Sequence, residues 1–197
     1  MISQALHRQL KPENLQIKLR CTPRQELGLG DYTLTWGLCS SPYGRCLAGF
    51  TESGLCGLDL VPDEDALERL RRHWCIDLVR RDDRRSEEAV IRFFSGENPA
   101  LHIGGTEFQL RVWRAVLGIR SGCYMTYADI AAVIGSPGAA RAVGSAVGAN
   151  CLAVAVPCHR VLPASGLAGN YRWGRERKLS LLNQEAGRGA VERRAVA

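Results

Sequence analysis

The sequence predicts an α+β fold, in which a small antiparallel β-sheet domain with helices over residues 1–98 precedes a mainly helical domain over residues 99–187. β-Prone segments separated by turn residues occupy much of the first half, and apolar residues at helical spacing dominate the second half. Between them, Gly96-Glu-Asn-Pro99 has the composition of a linker. The basic tail, residues 188–197, is rich in small residues, and we expect it to be disordered.

Strand and turn signals alternate in the first half. The β-prone segments are Tyr32–Trp36, Leu47–Phe50 and Leu55–Leu60, with turn residues at 41–44 and 52–54 between them. This alternation is typical of an antiparallel meander.

Two helices should follow these strands. The first comes after an acidic stretch and carries Leu67, Leu70 and Trp74 at helical spacing. The second should span Ser86 to Phe94. The run 80–85 mixes both signs of charge, which predicts a solvated loop.

Helical signals dominate the second half. Thr106 is placed to cap a helix with a broad apolar face, and Thr126 with Asp129 has the spacing of a capping box. The helix after Thr126 should end at Ile134, and another should span 138–149 after a Gly-Ser-Pro break. This pair has the size of a helix-turn-helix. A last helix should run from about Gly174 to Glu185.

Positive charge is concentrated in the second half. Residues 1–100 contribute a net charge of −1 and residues 101–197 contribute +7, and 11 of the 12 cations in the second half are arginine. Clustered arginines suit phosphate contacts, because a guanidinium fork can bind two oxygens. A soluble surface that is merely basic explains the charge equally well.

The sequence carries no sign of secretion or membrane insertion. No segment resembles a signal peptide or reaches the ~20 apolar residues of a membrane helix. We therefore expect a cytoplasmic protein that does not bind membranes and that is associated with the nucleoid if the organism is prokaryotic. A monomer is the simplest oligomeric state to expect. Its eight cysteines should then be reduced thiols, and since none forms a C-x-x-C pair, we predict no metal or other cofactor.

The second helix of the helix-turn-helix is unusual for a protein that reads the major groove. Its only charged residue is Arg141, and the remainder is almost entirely Ala, Gly, Ser and Val, including Ala140 and Gly144. Such a smooth helix fits the narrow minor groove, with one arginine available to enter the base stack. The same composition fits a buried helix packed closely on a neighbour, and the residues alone leave both interpretations open.

Cys158 is the candidate nucleophile, and it follows Pro157 and a segment, 152–156, that has the composition of a short buried strand. Only a few per cent of a free thiol is ionised at neutral pH, so a nucleophilic cysteine needs a nearby base or cation, here His159 or Arg160. Because neighbours in extended backbone point opposite ways, we expect a water bridge rather than direct contact between Cys158 and His159. A buried cysteine beside a surface histidine would have the same sequence.

The segment Pro157-Cys158-His159-Arg160-Val161 resembles the active-site motif of the O6-alkylguanine-DNA alkyltransferases. Five further segments resemble other motifs of this family and occur in the family's order across about 104–187. These segments are Gly105–Trp113, Thr126–Ala131, Arg141–Asn150, Gly169–Gly174 and Leu181–Glu185. The resemblance implies an RNase H-like N-terminal domain and a winged-helix-like C-terminal domain, although the N-terminal strands match only loosely.

The resemblance also implies DNA repair by direct damage reversal. The alkyl (methyl) group of O6-alkylguanine, or of O4-alkylthymine as a second candidate, would pass to Cys158 once per molecule after the base flips out of the duplex. His159, oriented by Glu185, would remove the thiol proton through a water. Asn150 would join the helix-turn-helix to the active-site turn, and Tyr127 would lie near the phosphate 3′ to the target and return a proton to guanine N3.

Roles in DNA and base binding are implied in the same way. Arg141 would fill the gap left by the flipped base, on a helix that places Ala140 and Gly144 in the minor groove of double-stranded DNA. The base pocket would be lined by Val156, Ser165, Asn170 and Tyr171.

Two other function classes compete with this one. A lesion-recognition protein would bind DNA without transfer, but a cysteine at 158 argues against the related lesion sensors, which carry another residue there. A cysteine hydrolase would use Cys158 and His159, but no oxyanion-hole motif supports it. Phosphotriester repair and gene activation are not expected, since the N-terminal segment lacks the cysteine cluster of the bifunctional, zinc-binding relatives.

Overall fold

The computed structural model describes residues 18–29, 32–166 and 169–187, so the predicted disordered tail lies outside the described residues. The chain divides into two compact units. The sheet unit runs to Leu110 and includes Cys151–Ala155, and the helical unit comprises Arg111–Asn150 and the described residues from Val156 onward. This division differs from the boundary predicted at residue 98, because the segment after the linker contributes a strand to the sheet.

The sheet unit is built on a six-stranded mixed sheet with the strand order β1-β6-β4-β3-β2-β5. The strands are β1 (Leu19–Pro23), β2 (Leu34–Ser41), β3 (Gly44–Thr51), β4 (Gly54–Asp59), β5 (Val79–Arg81) and β6 (Leu101–Gly105). Its helices are α1 (Ala66–Trp74) and α2 (Asp83–Phe94).

The predicted meander is confirmed for β2, β3 and β4, which pair antiparallel through two tight turns. Gly54, which closes the second turn, has φ of 140°, and a Cβ there would lie 2.2 Å from the carbonyl oxygen of Ala100. Only glycine fits this position, which supports the turn predicted at 52–54.

The expectation of an antiparallel sheet is wrong for the outer strands. β1 pairs parallel with β6, β6 parallel with β4, and β5 parallel with β2. Parallel neighbours need long connections, and α1 and α2 lie in the connections that lead to β5 and β6. These three strands are short and lack clear alternation, so the sequence pattern did not reveal them.

The solvated loop predicted at 80–85 is also wrong. Arg80 and Arg81 belong to β5, and the Asp82 side chain caps α2 by accepting a hydrogen bond from the Arg85 backbone N–H at 3.0 Å. Arg81 forms an ion pair with Asp83 at 2.8 Å. The charged residues of both signs therefore form an ion pair and a helix N-cap at a strand–helix junction.

The core of the sheet unit forms between α1 and the sheet. Leu70 of α1 lies over Gly49 and Gly57, where an added Cβ would approach the leucine methyls to 2.4 Å and 2.6 Å. Trp74 is buried and donates its indole N–H to the carbonyl of Cys56 at 3.2 Å. The two glycines let the helix sit close to the sheet.

A buried histidine links three strands of this sheet. His102 of β6 is fully buried, with its two ring nitrogens 2.7 Å from the hydroxyls of Thr22 on β1 and Thr51 on β3. Burial lowers the pKa of His102 to about 4. The imidazole is therefore neutral at physiological pH, with one nitrogen donating and the other accepting.

Residues 152–156 do not form the predicted strand. Leu152 makes a single bridge to Leu58, and Val154 adopts a left-handed conformation with φ of 64°, which is incompatible with extended strand backbone. Leu152 and Ala153 are buried, so composition correctly indicated burial but not backbone conformation.

The helical unit contains most of α3 (Glu107–Leu117), followed by two short parallel strands and three further helices. These are β7 (Met125–Thr126), α4 (Tyr127–Val133), α5 (Ala140–Gly148), β8 (Val161–Leu162) and α6 (Arg175–Gly187). The capping box predicted at Thr126 and Asp129 is present, with the Asp129 N–H donating to the threonine hydroxyl at 3.2 Å. The predicted helix pair is confirmed to within two residues at its ends.

Within this unit, α3 packs against α5. The indole N–H of Trp113 donates to the carbonyl of Ala146 at 2.9 Å, and Val143 and Val147 on α5 are buried. The opposite side of α5 carries the exposed Arg141 and Ser145. The helix is thus closely packed on one side and solvent-accessible on the other, and minor-groove binding by the accessible side stays a prediction. No helix in the described ranges has the length and hydrophobicity needed to cross a membrane.

Candidate active site

Cys158 lies in a single 3₁₀ turn, Cys158–Arg160, directly after Pro157. Its backbone N–H donates to the Val156 carbonyl at 2.7 Å, which holds the turn closed. The thiol is 3% exposed. The sulfur is therefore held in one position and shielded from bulk water.

Asn150 follows α5 and is buried beside the thiol. Its side-chain amide donates to Cys158 Sγ at 3.1 Å and to the Val156 carbonyl oxygen at 3.2 Å. A donor aimed at the sulfur stabilises its ionised form. Asn150 thereby ties the end of α5 to the cysteine turn.

The environment of Cys158 contains opposing influences on its ionisation. Burial raises the pKa of the Cys158 thiol, while the Asn150 amide, the positive charge of Lys178 and a hydrogen bond from Tyr171 act to lower it. The net effect is a raised pKa. The resting thiol is therefore protonated and needs a base before it can act as a nucleophile.

His159, the next residue, is the candidate base. It is fully buried, and its Nε2 lies 2.9 Å from Oε1 of Glu185 on α6. Burial lowers the pKa of His159, although the contact with Glu185 opposes this effect. A neutral imidazole that donates Nε2–H to Glu185 carries its lone pair on Nδ1, which makes no hydrogen bond in the described part of the chain.

Arg160 holds the carboxylate that orients this histidine. Its guanidinium donates to Glu185 through Nε at 3.0 Å and Nη2 at 2.7 Å, and through Nη1 to the Ile119 carbonyl. Burial alone would raise the pKa of Glu185, but hydrogen bonds from His159 and Arg160 lower it to about 2. Glu185 is therefore ionised at neutral pH, and Arg160 balances its charge.

The relation between Cys158 and His159 differs from the expected extended backbone. In a 3₁₀ turn, successive side chains project about 120° apart rather than in opposite directions. The thiol nevertheless accepts a hydrogen bond from Asn150 and none from the imidazole. The expectation that these two residues make no direct hydrogen bond agrees with this arrangement.

Tyr127 and Gly144 come together in the helix pair. A Cβ at Gly144 would lie 3.9 Å from the Tyr127 ring, so the glycine gives the ring a flat surface. Tyr127 is half-buried, and burial together with the nearby Cys158 raises the pKa of its phenol. Ala140 and Arg141 lie at the start of α5, where Arg141 is exposed.

The four predicted pocket residues are not equally close to the thiol. The Val156 carbonyl and Tyr171 contact the Cys158–Asn150 pair. Tyr171 also packs edge-on against Trp173, with ring centroids 5.1 Å apart. Ser165 and Asn170 are exposed, and no hydrogen bond joins them to this cluster within the described residues.

Lys178 was not predicted from the sequence. This lysine is 1% exposed, and its Nζ donates to the Val161 carbonyl at 2.8 Å. Burial lowers the pKa of Lys178, and the neighbouring Cys158 opposes the shift. Lys178 lies two helical turns before Glu185 on α6, so spacing on the same helix face was the available signal. The described part of the chain contains no cluster of His, Cys, Asp and Glu that could hold a metal ion.

Comparison with known proteins was made against this geometry. Residues 107–187 match the family model for the DNA-binding domain of 6-O-methylguanine DNA methyltransferase. The regulatory protein Ada of Salmonella typhimurium and the bifunctional transcriptional activator/DNA repair enzyme Ada of Escherichia coli are each 37% identical, over 81% and 77% of the chain. The chain spans about half of their length, 47% and 45% respectively.

Some smaller relatives match over nearly their whole length. The methylated-DNA–protein-cysteine methyltransferase of Mycobacterium tuberculosis is 41% identical over 77% of this chain and 92% of its own. A crystal structure of M. tuberculosis OGT in complex with DNA is 34% identical, with a TM-score of 0.66 over 79% of this chain and 94% of that chain. The motifs around Cys158 and this coverage together show that the chain belongs to the methylated-DNA–protein-cysteine methyltransferase family.

Proposed function

We propose that this chain repairs DNA by direct damage reversal, taking the alkyl group of O6-alkylguanine onto Cys158 once per molecule. The observation that carries the proposal is a buried thiol fixed by Asn150 next to a histidine that Glu185 orients. Family membership supports the same chemistry. O4-alkylthymine is the second candidate substrate.

The proton path would run from Cys158 through one water to Nδ1 of His159. Nδ1 is the acceptor because Nε2 donates to Glu185. The imidazolium that forms would be stabilised by the Glu185 carboxylate, which Arg160 holds in place. This arrangement assigns Arg160 a positioning role.

The transfer itself is a displacement at the alkyl carbon. The thiolate of Cys158 forms the C–S bond as the C–O6 bond breaks, and the electron pair of that bond stays on the guanine. A proton returned by Tyr127 at N3 would neutralise the leaving base; the raised pKa of Tyr127 keeps it protonated until then. The thioether is stable, so no second cycle is expected.

DNA would bind along α5. Its exposed side offers Arg141 and small residues, including Ala140, which suits the minor groove of double-stranded DNA. Arg141 would occupy the space left by the flipped base. Val156, Ser165, Asn170 and Tyr171 would line the base pocket. We further propose a monomer with an RNase H-like sheet unit and a winged-helix-like helical unit.

The test is incubation of the full chain with duplex DNA that carries labelled O6-methylguanine. The proposal predicts one label per molecule, mapped to Cys158 and absent in Cys158→Ala. DNA binding without transfer by the intact chain would instead identify a lesion-recognition protein. Turnover of ester or peptide substrates would identify a cysteine hydrolase.

A further inference from the structure

Two cysteines outside the candidate active site face each other across the β2–β3 hairpin. Cys39 and Cys46 are register partners in this antiparallel pair, and both are buried. They belong to the sheet unit, whereas Cys158 belongs to the helical unit. The proposed repair chemistry uses neither of them.

The geometry of this pair is close to that of a disulfide. The two Sγ atoms are 3.1 Å apart, so about 1 Å of movement would bring them to the ~2.05 Å of an S–S bond. Directly opposed residues in antiparallel strands have Cα atoms roughly 4.5–5.5 Å apart, which lies within the range found for disulfides. The hairpin therefore needs no backbone rearrangement to close the bond.

The two thiols are chemically unequal. A hydrogen bond from Cys39 lowers the pKa of Cys46, although burial opposes this, and the Ser41 side chain also lowers it. The same contact and burial raise the pKa of Cys39. The negative charges of Glu87 and Asp59 disfavour the thiolate of Cys46. Cys46 is thus the thiol that ionises first, and Cys39 is the proton donor that stabilises it.

We propose that Cys39 and Cys46 form a redox-active dithiol that a peroxide converts into a cross-strand disulfide. The Cys46 thiolate attacks one peroxide oxygen, the O–O bond breaks, and Cys46 sulfenic acid and hydroxide form. Cys39 then attacks the Cys46 sulfur, and its proton leaves with the displaced hydroxyl as water. The proton that Cys46 released on ionisation neutralises the hydroxide. Two thiols lose two electrons and two protons, and hydrogen peroxide becomes two waters.

The remaining cysteines provide internal controls. Cys75 is exposed, and its thiol donates to the carbonyl of Arg72 at 3.7 Å. The Cys151 thiol donates to the backbone carbonyl of Cys56 at 3.5 Å. Neither arrangement favours a disulfide as that of Cys39 and Cys46 does.

The experiment treats the reduced full chain with hydrogen peroxide, blocks free thiols with a maleimide after denaturation, and maps peptides by mass. Arg45 lies between the two cysteines, so trypsin separates peptide 25–45, which contains Cys39, from peptide 46–69, which contains Cys46 and Cys56. The disulfide would join these two peptides. Fragmentation of the joined pair then assigns the bond to Cys46 or to Cys56 without any variant.

The expected result is a joined pair bonded at Cys46, formed at a dose no higher than that which oxidises Cys75 and reversed by dithiothreitol. It should persist in Cys56→Ala and vanish in Cys39→Ser. Closing this short loop should raise the Tm of the oxidised chain by about 5 °C. A bond at Cys56, or peptides that stay separate once Cys75 is oxidised, would overturn the proposal.

Discussion

Replacing Glu185 by glutamine tests the central polar cluster most directly. The substitution keeps the size of the side chain but removes the charge that Arg160 and His159 share. A glutamine carbonyl in place of Oε1 can still accept from His159 and Arg160, but its amide nitrogen would replace the acceptor Oε2 and face Arg160 Nε as a second donor. We expect a large loss of alkyl transfer with little change in DNA binding.

The magnitude of the stability effect follows from the ionisation of Glu185. The pKa of this carboxyl is lowered from 4.5 to about 2, and at about 1.4 kcal/mol per unit this corresponds to roughly 3 kcal/mol of folding stability. The side chain is 13% exposed, so solvent screening is weak. For a domain of this size, such a loss lowers Tm by roughly 10 °C.

The same reasoning gives the pH range over which Glu185 stabilises the fold. Because the folded-state pKa of Glu185 is depressed, its contribution is fully present above pH 4.5 and is lost as pH falls from 4.5 through about 2. Wild-type stability should therefore fall over this range, and Glu185→Gln should lose most of that slope. Chemical denaturation at several pH values measures both.

The loss in rate reflects the lost negative charge. Without it, the imidazolium that would form on His159 is less stable, and the transfer rate should fall by about 100-fold. Single-turnover transfer from labelled duplex DNA measures the loss in rate, and a separate binding assay measures any change in affinity for DNA. Glu176→Gln, at an exposed position in the first turn of α6, is the matched control. If folded Glu185→Gln transfers the alkyl group at the wild-type rate, the proton relay is refuted. If its stability falls between pH 4.5 and about 2 as steeply as that of the wild type, the stabilising contribution assigned to the lowered pKa of Glu185 is refuted.

Three further predictions concern other residues. Arg141→Ala should weaken repair of duplex DNA about 100-fold but barely affect reaction with free O6-alkylguanine; equal losses on both substrates would contradict its assigned position in the base stack. Lys178→Met should move the pH–rate profile of Cys158 alkylation to higher pH, because a cation that favours the thiolate is gone; an unshifted profile would separate the lysine from the thiol. His102 should make folding less stable by about 3 kcal/mol as pH falls from 6.5 to 4, because the unfolded chain takes up the proton first, and His102→Gln should abolish this slope in equilibrium unfolding.

Local patterns were sufficient where neighbouring residues alone determine the backbone. The capping box at Thr126, the turn that ends at Gly54, and the helix pair around Gly135 were all predicted, because each depends on side-chain-to-backbone bonds or steric limits within a few residues. The parallel strands at 79–81 and 101–105 were not predicted, since distant strands supply their hydrogen bonds. The composition of a segment does not reveal which distant strand it pairs with.

The candidate active site shows the same division. Cys158, His159, Asn150 and Glu185 were named from motifs, and the structure forms two hydrogen-bonded pairs from them. Asn150 bonds to Cys158 and His159 bonds to Glu185, and the two pairs are joined through the adjacent residues Cys158 and His159. Lys178 was missed because a lone lysine in a helix is expected at the surface. Its burial results from packing around it, which its own sequence neighbourhood does not reveal.

The sequence by itself determined the family, the candidate nucleophile and the order of the elements, because these depend on residue identity and on local spacing. Only the tertiary structure decided how the thiol is held. The amide of Asn150 reaches the sulfur, and Arg160 and His159 share one carboxylate that is about 25 residues away along the chain. Burial raises the pKa of Cys158, while Asn150 donates to its sulfur and the distant Glu185 orients the adjacent His159. Such electrostatic balances depend on through-space distances, which folding sets and sequence spacing does not.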